Sequence, residues 1–314
     1  MNTYRKQFKE TSKVYIAAWA VKSQRLYAFL HSRTQGIYAF IILQMNHEQI
    51  KHITNNHYKK LKKHISHICK DFDVDAIHDF RVEYKKLRAF LRMISQQHET
   101  AVEIKVSKKL KKAYNILGSI RDLQLQQQRI ISATERELKK PKAYLTLLQK
   151  EIDKLKPELS EIFLEKPATE SKKKTDASIP AEFPLNGFRT FAGKKWAIVY
   201  SIIASGYFSD DNIHAIRKSL KDLFYNLKIY DGVEYELSSL SIWRGKDEQY
   251  FNQLLDTLGN YQDKCTAIVL LKSYWLNSLH TYNHEMLEQI KKEWLKDKAR
   301  MKQFLVKKLK ADVV

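Results

Sequence analysis

The sequence predicts an all-α protein made of two related helical halves. Glycine (8) and proline (5) are scarce among the 314 residues, whereas strands joined by tight turns need both. From residue 48 onwards, apolar residues recur at three- and four-residue steps, as they do on the buried face of a helix. The clearest of these series occurs twice, 136 positions apart, which indicates a duplicated unit.

Helix boundaries in the first half follow from capping residues. Asp73 or Asp75 suits the start of the second helix, because a carboxylate accepts hydrogen bonds from free backbone N–H groups. Gly118 suits a helix end, since glycine tolerates a left-handed C-cap, and Asp122 can cap the next helix. Pro141 suits a first helical position. The predicted helices are 48–70, 76–97, 101–118, 122–138 and 141–164.

Residues 165–184 interrupt this pattern. The segment EKPATESKKKTDASIPAEFP contains three prolines and few apolar residues, which predicts a linker or exposed loop with a solvated Lys172–Lys174 run. Helical periodicity then resumes, and Gly259 repeats the glycine stop. The predicted helices are 187–206, 210–229, 242–258, 261–279 and 283–310.

These elements divide the chain into four segments. Residues 1–44 lack the downstream pattern and form an N-terminal extension outside the functional chain, with Met45 as a candidate functional start. Residues 45–164 form the first half, 165–186 the linker, and 187–314 the second half.

The charge balance points to an anionic partner. Lysine and arginine number 56 against 35 aspartate and glutamate residues, for a net charge of +21. Such an excess repels itself and serves no structural purpose alone. The two cysteines, Cys69 and Cys265, have no metal-binding spacing and predict buried, reduced thiols. We find no apolar stretch long enough to span a membrane, and the cytoplasm is the expected location.

The first copy of the repeat, DAIHDFRVEYKKLRAFLRMI from Asp75 to Ile94, has two faces. Its apolar face comprises Ile77, Phe80, Tyr84, Leu87, Leu91 and Ile94. A second series has the same spacing and lies about 110° round the helix, forming a cationic stripe about 21 Å long. That stripe consists of His78, Arg81, Lys85, Arg88 and Arg92.

The second copy, DNIHAIRKSLKDLFYNLKIY from Asp211 to Tyr230, repeats both faces. Its apolar series is Ile213, Ile216, Leu220, Leu223, Leu227 and Tyr230. Its basic series is His214, Arg217, Lys221 and Lys228, with Phe224 in place of the Arg88 cation. The segments LGSIRD (117–122) and LGNYQD (258–263) also correspond, so the halves form a pseudo-symmetric pair of bundles.

Further cations precede Gly118. Lys105, Lys108, Lys109 and Lys112 share one face of their predicted helix, whereas the second copy is much less basic there. Two interpretations of Arg121 remain open: it joins the basic surface, or it pairs with an aspartate.

A cationic stripe beside an apolar face is often only a solvated rim. Here few carboxylates interleave, and unpaired cations at this spacing repel one another by a few tenths of a kcal/mol per pair. An anion would relieve that cost, and arginine and lysine both bind phosphate well. His78 and His214 can donate to phosphate even when neutral, and neighbouring cations disfavour their protonated forms. Neither histidine has a metal-binding partner one turn on.

These motifs resemble those of CHAD domains, the conserved-histidine α-helical domains. HxxRVxxKKLR (78–88) looks like the family signature, and HxxRxxxK (214–221) resembles a degenerate second copy. The resemblance covers roughly residues 46–310. It implies two four-helix-type bundles about a pseudo-twofold axis, with a basic groove that binds inorganic polyphosphate without catalysis, cofactor or metal. It also implies an association with polyphosphate granules.

The resemblance also implies the contacts. Phe224 and Gln262, where the second half lacks the cations of the first, depart from the pattern. The implied polyphosphate-binding residues are His78, Arg81, Lys85, Lys86, Arg88, Arg92, Lys108, Lys109, Lys112, Arg121, His214, Arg217, Lys218, Lys221 and Lys228.

Three alternatives stay open. Nucleic acid shares the phosphates, although the stripes show no aromatic platforms for stacking bases. A polyphosphate-processing enzyme would need metal-binding carboxylates or a nucleophile beside the cations. A membrane-surface protein would use the Lys-rich last helix, whose Trp294, Met301, Leu305 and Leu309 are more simply core positions.

Overall fold

The computed structural model describes residues 44–96, 103–137, 140–227, 229, 248–271, 276, 277, 279 and 281–311. The predicted extension therefore lies almost wholly outside the described residues. Within them the protein is helical, which confirms the all-α prediction. The helices are α1 His47–Asp71, α2 Val74–Ile94, α3 Lys108–Ala133, α4 Lys142–Leu164, α5 Pro167–Asp176, α6 Leu185–Ser205, α7 Asp210–Leu227, α8 Glu248–Leu270 and α9 Thr281–Ala311.

The helices pack in the same order in both halves. In the first half α1 packs on α2, α2 on α3 and α3 on α4. In the second half α6 packs on α7, α7 on α8 and α8 on α9. The halves meet where α2 contacts α7 and α6, and where α3 contacts α8. The two motif helices, α2 and α7, therefore lie at the centre of the molecule.

The apolar series set the orientation of these central helices. All six apolar positions of α2, from Ile77 to Ile94, are at most 1% exposed. In α7 the corresponding positions from Ile213 to Leu223 are buried too, while Tyr230 lies outside the described residues. At about 1.5–3 kcal/mol for each buried large apolar side chain, this burial fixes which edges of α2 and α7 carry the cations.

Helix ends follow local capping chemistry in some places and not in others. Asp73 caps α2 as predicted, accepting from the Ala76 N–H at 2.7 Å. The predicted stops at Gly118 and Gly259 are wrong, because α3 and α8 run straight through them. The prediction of buried thiols is wrong for Cys69, which is exposed.

The predicted linker is not an exposed loop. Residues 167–176 form helix α5, which packs on α1 and α3. The Tyr58 hydroxyl lies 2.9 Å from Ser171 Oγ and 2.7 Å from Thr175 Oγ1, and the Ser107 N–H donates to Ser171 Oγ at 3.0 Å. All four residues are buried. The lysines of this segment lie on the outside, where Lys172 and Lys174 pair with Asp176 and Glu170.

A short strand pair follows α5. Strand β1 (Met45–Asn46) pairs antiparallel with β2 (Glu182–Phe183), with Met45 opposite Phe183. Phe183 is fully buried. The pairing therefore anchors the start of α1 to the segment that enters the second half.

The buried hydroxyls make the docking of α5 testable. We expect Tyr58→Phe to lower the free energy of unfolding by about 1–2 kcal/mol, because it leaves buried hydroxyls with one partner fewer. Chemical denaturation of wild type and variant measures this. Tyr207→Phe is the matched control, since Tyr207 is 69% exposed and its loss should change stability by less than about 0.5 kcal/mol. Equal effects of the two substitutions would contradict a contribution of the hydroxyl cluster to α5 docking.

Candidate functional site

The packing of α2 against α7 brings the two basic series together. Lys85 of α2 and Lys221 of α7 are half-buried, and the pKa of each is lowered to about 8. Burial is the largest cause at both lysines. Arg81, Lys221 and Arg217 lower the pKa of Lys85 further, and Arg217 does so for Lys221. We call Arg81, Lys85, Arg217 and Lys221 the central cluster.

Carboxylates from both halves offset part of this positive charge. Asp122 of α3 favours the charged form of Lys85, and Asp256 and Asp263 of α8 favour that of Lys221. Asp122 is itself disfavoured as an anion, because burial and Asp263 raise its pKa. Since the pKa values of both lysines stay depressed, the carboxylates do not neutralise the cluster.

Helix α3 holds Arg81 in place. Arg81 Nη1 donates to the Tyr114 carbonyl at 3.3 Å, and the guanidinium lies 5.0 Å from the centre of the Tyr114 ring. That ring stacks on Tyr84 with centroids 4.1 Å apart, and Arg88 lies 5.9 Å from the Tyr84 ring. Two of the three arginines of the first stripe, Arg81 and Arg88, therefore rest on a pair of stacked tyrosines, an arrangement that favours guanidinium over ammonium.

Gly118 and Gly259 make room for the arginines. A Cβ atom at Gly118 would lie 2.1 Å from Arg81 Nη1, and one at Gly259 would lie 3.3 Å from Arg217 Nη2. Neither glycine has a positive φ, and both lie inside helices. The repeated glycine therefore serves close approach of a guanidinium to a helix, tightly in the first half and loosely in the second.

The two motif histidines are exposed on their helices. The pKa of His78 is lowered by partial desolvation first and then by Arg121, with Lys85 and Lys221 adding to the effect. His214 lies with Nδ1 3.0 Å from Gln262 Oε1, so Nδ1 donates to that oxygen. The pKa of His214 is also lowered, by desolvation and by Arg217 and Lys218. Both pKa shifts have the direction expected for imidazoles that stand beside cations.

A second group of charges surrounds Asp222 of α7. Asp222 is buried and lies 2.5 Å from Arg92 Nη2 and 2.7 Å from Lys195 Nζ. Lys218 lies close by, since its pKa is lowered by burial and by Arg92, Lys195 and Arg88, and raised by Asp222. We call Arg88, Arg92, Lys195 and Lys218, together with Asp222, the Asp222 cluster.

Comparison with known proteins places this arrangement in a family. The family model described as CHAD domain matches residues 52–272, which include both motif helices and both glycine segments. The chain belongs to the CHAD-domain family. A search of curated proteins found no match.

Solved CHAD-type structures share the fold. The crystal structure of the CHAD domain from the plant Ricinus communis superposes with a TM-score of 0.58 at 17% identity, covering 86% of this chain and 92% of that one. PptA from Streptomyces chartreusis superposes with a TM-score of 0.59 at 11% identity, covering 84% and 99%.

The structure gathers many of the expected contacts of this CHAD domain. His78 and Arg121 lie beside the central cluster. Arg121 lies among both cations and carboxylates: burial and Arg81 lower its pKa, whereas Asp75 and Asp263 raise it. Its Nη1 donates to the Val74 carbonyl at 3.3 Å. Arg88 and Lys218 lie nearer Asp222.

Other expected contacts lie elsewhere or are already paired. Arg92 is bound to Asp222 and is therefore not an open cation. Lys86 lies near Glu83, on the side of α2 that faces α1. Lys109 pairs with Glu165, and Lys112 with Glu158 at 2.7 Å. Lys108 is exposed, and Lys228 lies outside the described residues.

The positions of Lys109 and Lys112 follow from helix geometry. At 100° per residue, Lys109 lies about 180° and Lys112 about 120° from Gly118 round α3. They therefore point towards α4 and α5 rather than towards Arg81. Lys111 lies only about 20° from Gly118 round α3 and is exposed. Helix geometry therefore places Lys111, rather than Lys109 or Lys112, on the side of α3 that carries Gly118.

Sequence reasoning also missed Tyr114, Lys195 and Asp222. Tyr114 carries no motif signal, and its contact with Arg81 bridges two helices. Lys195 belongs to α6, which lies outside the two repeated segments. Asp222 was visible as the acidic replacement for Lys86, 136 positions earlier, and comparing the two copies residue by residue would have found it.

The rest of the described chain offers few other site types. A cavity of about 360 Å³ lies at the junction of α1, α3 and α4, lined by Phe72, Gln127 and Ile131 among others, away from both clusters. Within the described ranges we find no group of three or more His, Cys, Asp or Glu side chains placed to hold a metal ion. No helix in the same ranges is long and apolar enough to cross a membrane.

Substitutions at the two glycines provide a test in which binding should weaken while stability does not fall. We expect Gly118→Ala to displace Arg81 and weaken polyphosphate binding about tenfold, since one charged hydrogen-bonding group is worth about 1.5–3 kcal/mol. Thermal stability should hold or rise, because alanine exceeds glycine in a helix by up to about 1 kcal/mol and the displaced group is a flexible side-chain end.

Gly259→Ala is the matched control. Its Cβ would lie 3.3 Å from Arg217 Nη2, a tight contact that a shift of a few tenths of an ångström at the end of the flexible arginine relieves. We therefore expect less than about a threefold change in affinity, or under 0.7 kcal/mol. Titration of labelled polyphosphate and thermal melts measure both properties. Equal affinities of the two variants would show that the approach of Arg81 to Gly118 has no role in binding.

Proposed function

We propose that this CHAD domain binds inorganic polyphosphate on the cationic surface where α2 meets α7, without turning it over. The observation that carries the proposal is the pair Lys85 and Lys221, half-buried and held beside two arginines with their pKa values lowered to about 8. Folding places these like charges together at an electrostatic cost. A polyanion that lies across them removes that cost.

The composition of the surface fits a chain of phosphates. Arg81 and Arg217 present planar donor groups, and Lys85 and Lys221 present point charges between them, so successive phosphates meet charge-assisted donors. His78 and His214 stand one turn before each arginine. The two halves contribute equivalent residues, so the central cluster forms one continuous charged surface rather than two separate ones.

Nucleic acid is a weaker alternative on this surface. Tyr84, Tyr114 and Tyr225 do lie among the cations. However, Tyr84 is fully buried, and the Tyr114 ring is already in contact with Tyr84 and Arg81. Tyr225 is half-buried, and burial raises its pKa. These rings support cations and leave little face for stacking a base.

Enzymatic turnover is the other alternative. It would use the carboxylates Asp122, Asp256 and Asp263, which lie beside the cations. Arginine and lysine side chains surround them, which opposes the approach of a divalent cation. Incubation of polyphosphate with the protein and Mg²⁺ should therefore leave the chain length unchanged. The proposal extends to a cytoplasmic protein at polyphosphate granules, which microscopy of the tagged protein tests.

Competition between polyanions tests the central claim. We expect labelled long-chain polyphosphate to be displaced by unlabelled polyphosphate at concentrations orders of magnitude below those of DNA or RNA at physiological salt. Arg81→Ala/Arg88→Ala should weaken binding about a hundredfold or more, because two charged donors are lost at about 1.5–3 kcal/mol each.

Lys109→Ala/Lys112→Ala is the control with the same loss of charge. Both lysines are paired with glutamates on the far side of α3, so we expect less than about a threefold change. Equal losses in the two double variants would mean that net charge alone attracts the polymer. Equal competition by nucleic acid would overturn the polyphosphate assignment.

The lysine pKa values predict a pH dependence of binding. A bound polyanion raises the pKa of Lys85 and Lys221 from about 8, so the protonated forms bind and complex formation takes up protons. Affinity is therefore highest below the pKa of the lysines in the unbound protein. It falls as pH rises towards their pKa in the complex. Between about pH 7 and pH 9 we expect a fall of up to about tenfold per lysine.

Lys85→Arg/Lys221→Arg supplies the control, because arginine stays charged throughout this range. Its affinity should be nearly flat with pH at constant salt. Calorimetry in buffers of different ionisation enthalpy should show proton uptake near pH 8 for wild type and none for the variant. A steep fall in both proteins would assign the pH dependence to other groups.

A further inference from the structure

Asp222 breaks the repeat at the edge of the cationic surface. The position 136 residues earlier holds Lys86, so a cation in the first copy is replaced by an anion in the second. The Asp222 side chain is 6% exposed and contacts Arg92 and Lys195, whose side chains are 20% and 17% exposed. One carboxylate thus joins α7, α2 and α6.

The carboxylate stands among more cations than it can neutralise. Arg88 and Lys218 also act on this cluster, and the pKa of Lys218 is lowered by burial and by the neighbouring cations despite Asp222. Four cations therefore face one internal anion. A carboxylate and a phosphate bind the same donors in the same geometry, so Asp222 holds the place that a phosphate group would otherwise take.

The packing of α2 on α7 does not depend on this charge alone. The buried Asn226 Nδ2 donates to the Ala89 carbonyl of α2 at 3.1 Å and to the backbone carbonyl of Asp222 at 2.8 Å. Neither hydrogen bond uses the Asp222 side chain. A neutral asparagine at 222 has nearly the same shape, and its side-chain oxygen can still accept from Arg92.

We propose that Asp222 acts as an internal competitor for the polymer: it withholds Arg92 and Lys195 from phosphate and so sets where the binding surface ends. The inference rests on the proposed polyphosphate function and names the residue that limits how many phosphates one molecule engages. Lys195, which the repeat does not contain, becomes a phosphate ligand only when Asp222 is neutral.

Asp222→Asn tests this through the salt dependence of binding. Each phosphate that a protein cation neutralises releases its condensed counterions and adds about 0.7–0.9 to the slope of log affinity against log salt. Without the negative charge at position 222, the charges of Arg92 and Lys195 become available to phosphate. This should steepen the slope by about one to two units and raise affinity several-fold at low salt. Titrations of labelled polyphosphate at several salt concentrations measure both.

Asp297→Asn is the matched control. Asp297 of α9 also pairs with one lysine and one arginine, Lys264 at 3.5 Å and Arg300. Lys264 lies about 140° from Gly259 round α8, away from the central cluster. The substitution changes net charge equally, so a general electrostatic gain would appear in both variants, whereas we expect an unchanged slope in Asp297→Asn.

A second variant keeps the test informative if Asp222→Asn folds poorly. Lys195→Gln removes a cation that the proposal holds to be withheld in wild type, while Arg92 still pairs with Asp222. Its affinity should stay within about twofold of wild type, or 0.4 kcal/mol. A loss as large as that of Arg81→Ala/Arg88→Ala, or an unchanged slope in well-folded Asp222→Asn, would overturn the inference. Absence of binding by wild type would instead refute the proposed function.

Discussion

The contact between α2 and α7 is the constraint on which the rest of the molecule depends. Each helix buries an apolar face, and the cationic edge of each face is carried with it into the contact between the halves. The apolar residues from Ile77 to Ile94 are almost fully buried, at about 1.5–3 kcal/mol for each large side chain. Burial lowers the pKa of Lys85 and of Lys221 more than repulsion from any single neighbouring cation does. The core therefore holds Lys85 and Lys221 together against their mutual repulsion.

Neighbouring helices position the cations and offset only part of their charge. Helix α3 supplies the Tyr114 carbonyl and ring for Arg81 and, through Gly118, the space it occupies. Helices α3 and α8 supply Asp122 and Asp263, which favour the charged lysines without pairing with them one to one. Among the described residues of the two clusters, Asp222 is the carboxylate that lies within hydrogen-bonding distance of a cation. The surface is thus open at its centre and partly neutralised at one edge.

Short-range patterns predicted what depends on a single helix and failed where a distant partner decides. The three- and four-residue steps gave α2 and α7, their buried faces and the repeat. The sequence around Gly118 predicts a helix stop, because nothing nearby in the sequence favours a glycine inside a helix. The glycine is accounted for by Arg81, which lies in another helix and would clash with a Cβ atom there. Helix α5 was missed because its buried residues are Ser171 and Thr175, which carry no apolar signal. The ion pair of Arg92 joins residues 130 positions apart, beyond the reach of any periodicity.

Three positions of the second half carry less positive charge than their counterparts in the first, whereas Lys218 adds a cation where the first copy has Val82. Phe224 replaces Arg88, Gln262 replaces Arg121 and Asp222 replaces Lys86, and each change removes positive charge. The equivalents of Arg81 and Lys85 are nevertheless kept as Arg217 and Lys221, so the centre stays symmetric while the edges diverge. A phosphate chain reads the same in either direction, and a symmetric centre can bind it in both orientations without loss. Under the proposed function, the asymmetric edges would act on the number of phosphates engaged and not on the direction of the chain, because direction has no chemical meaning for this polymer.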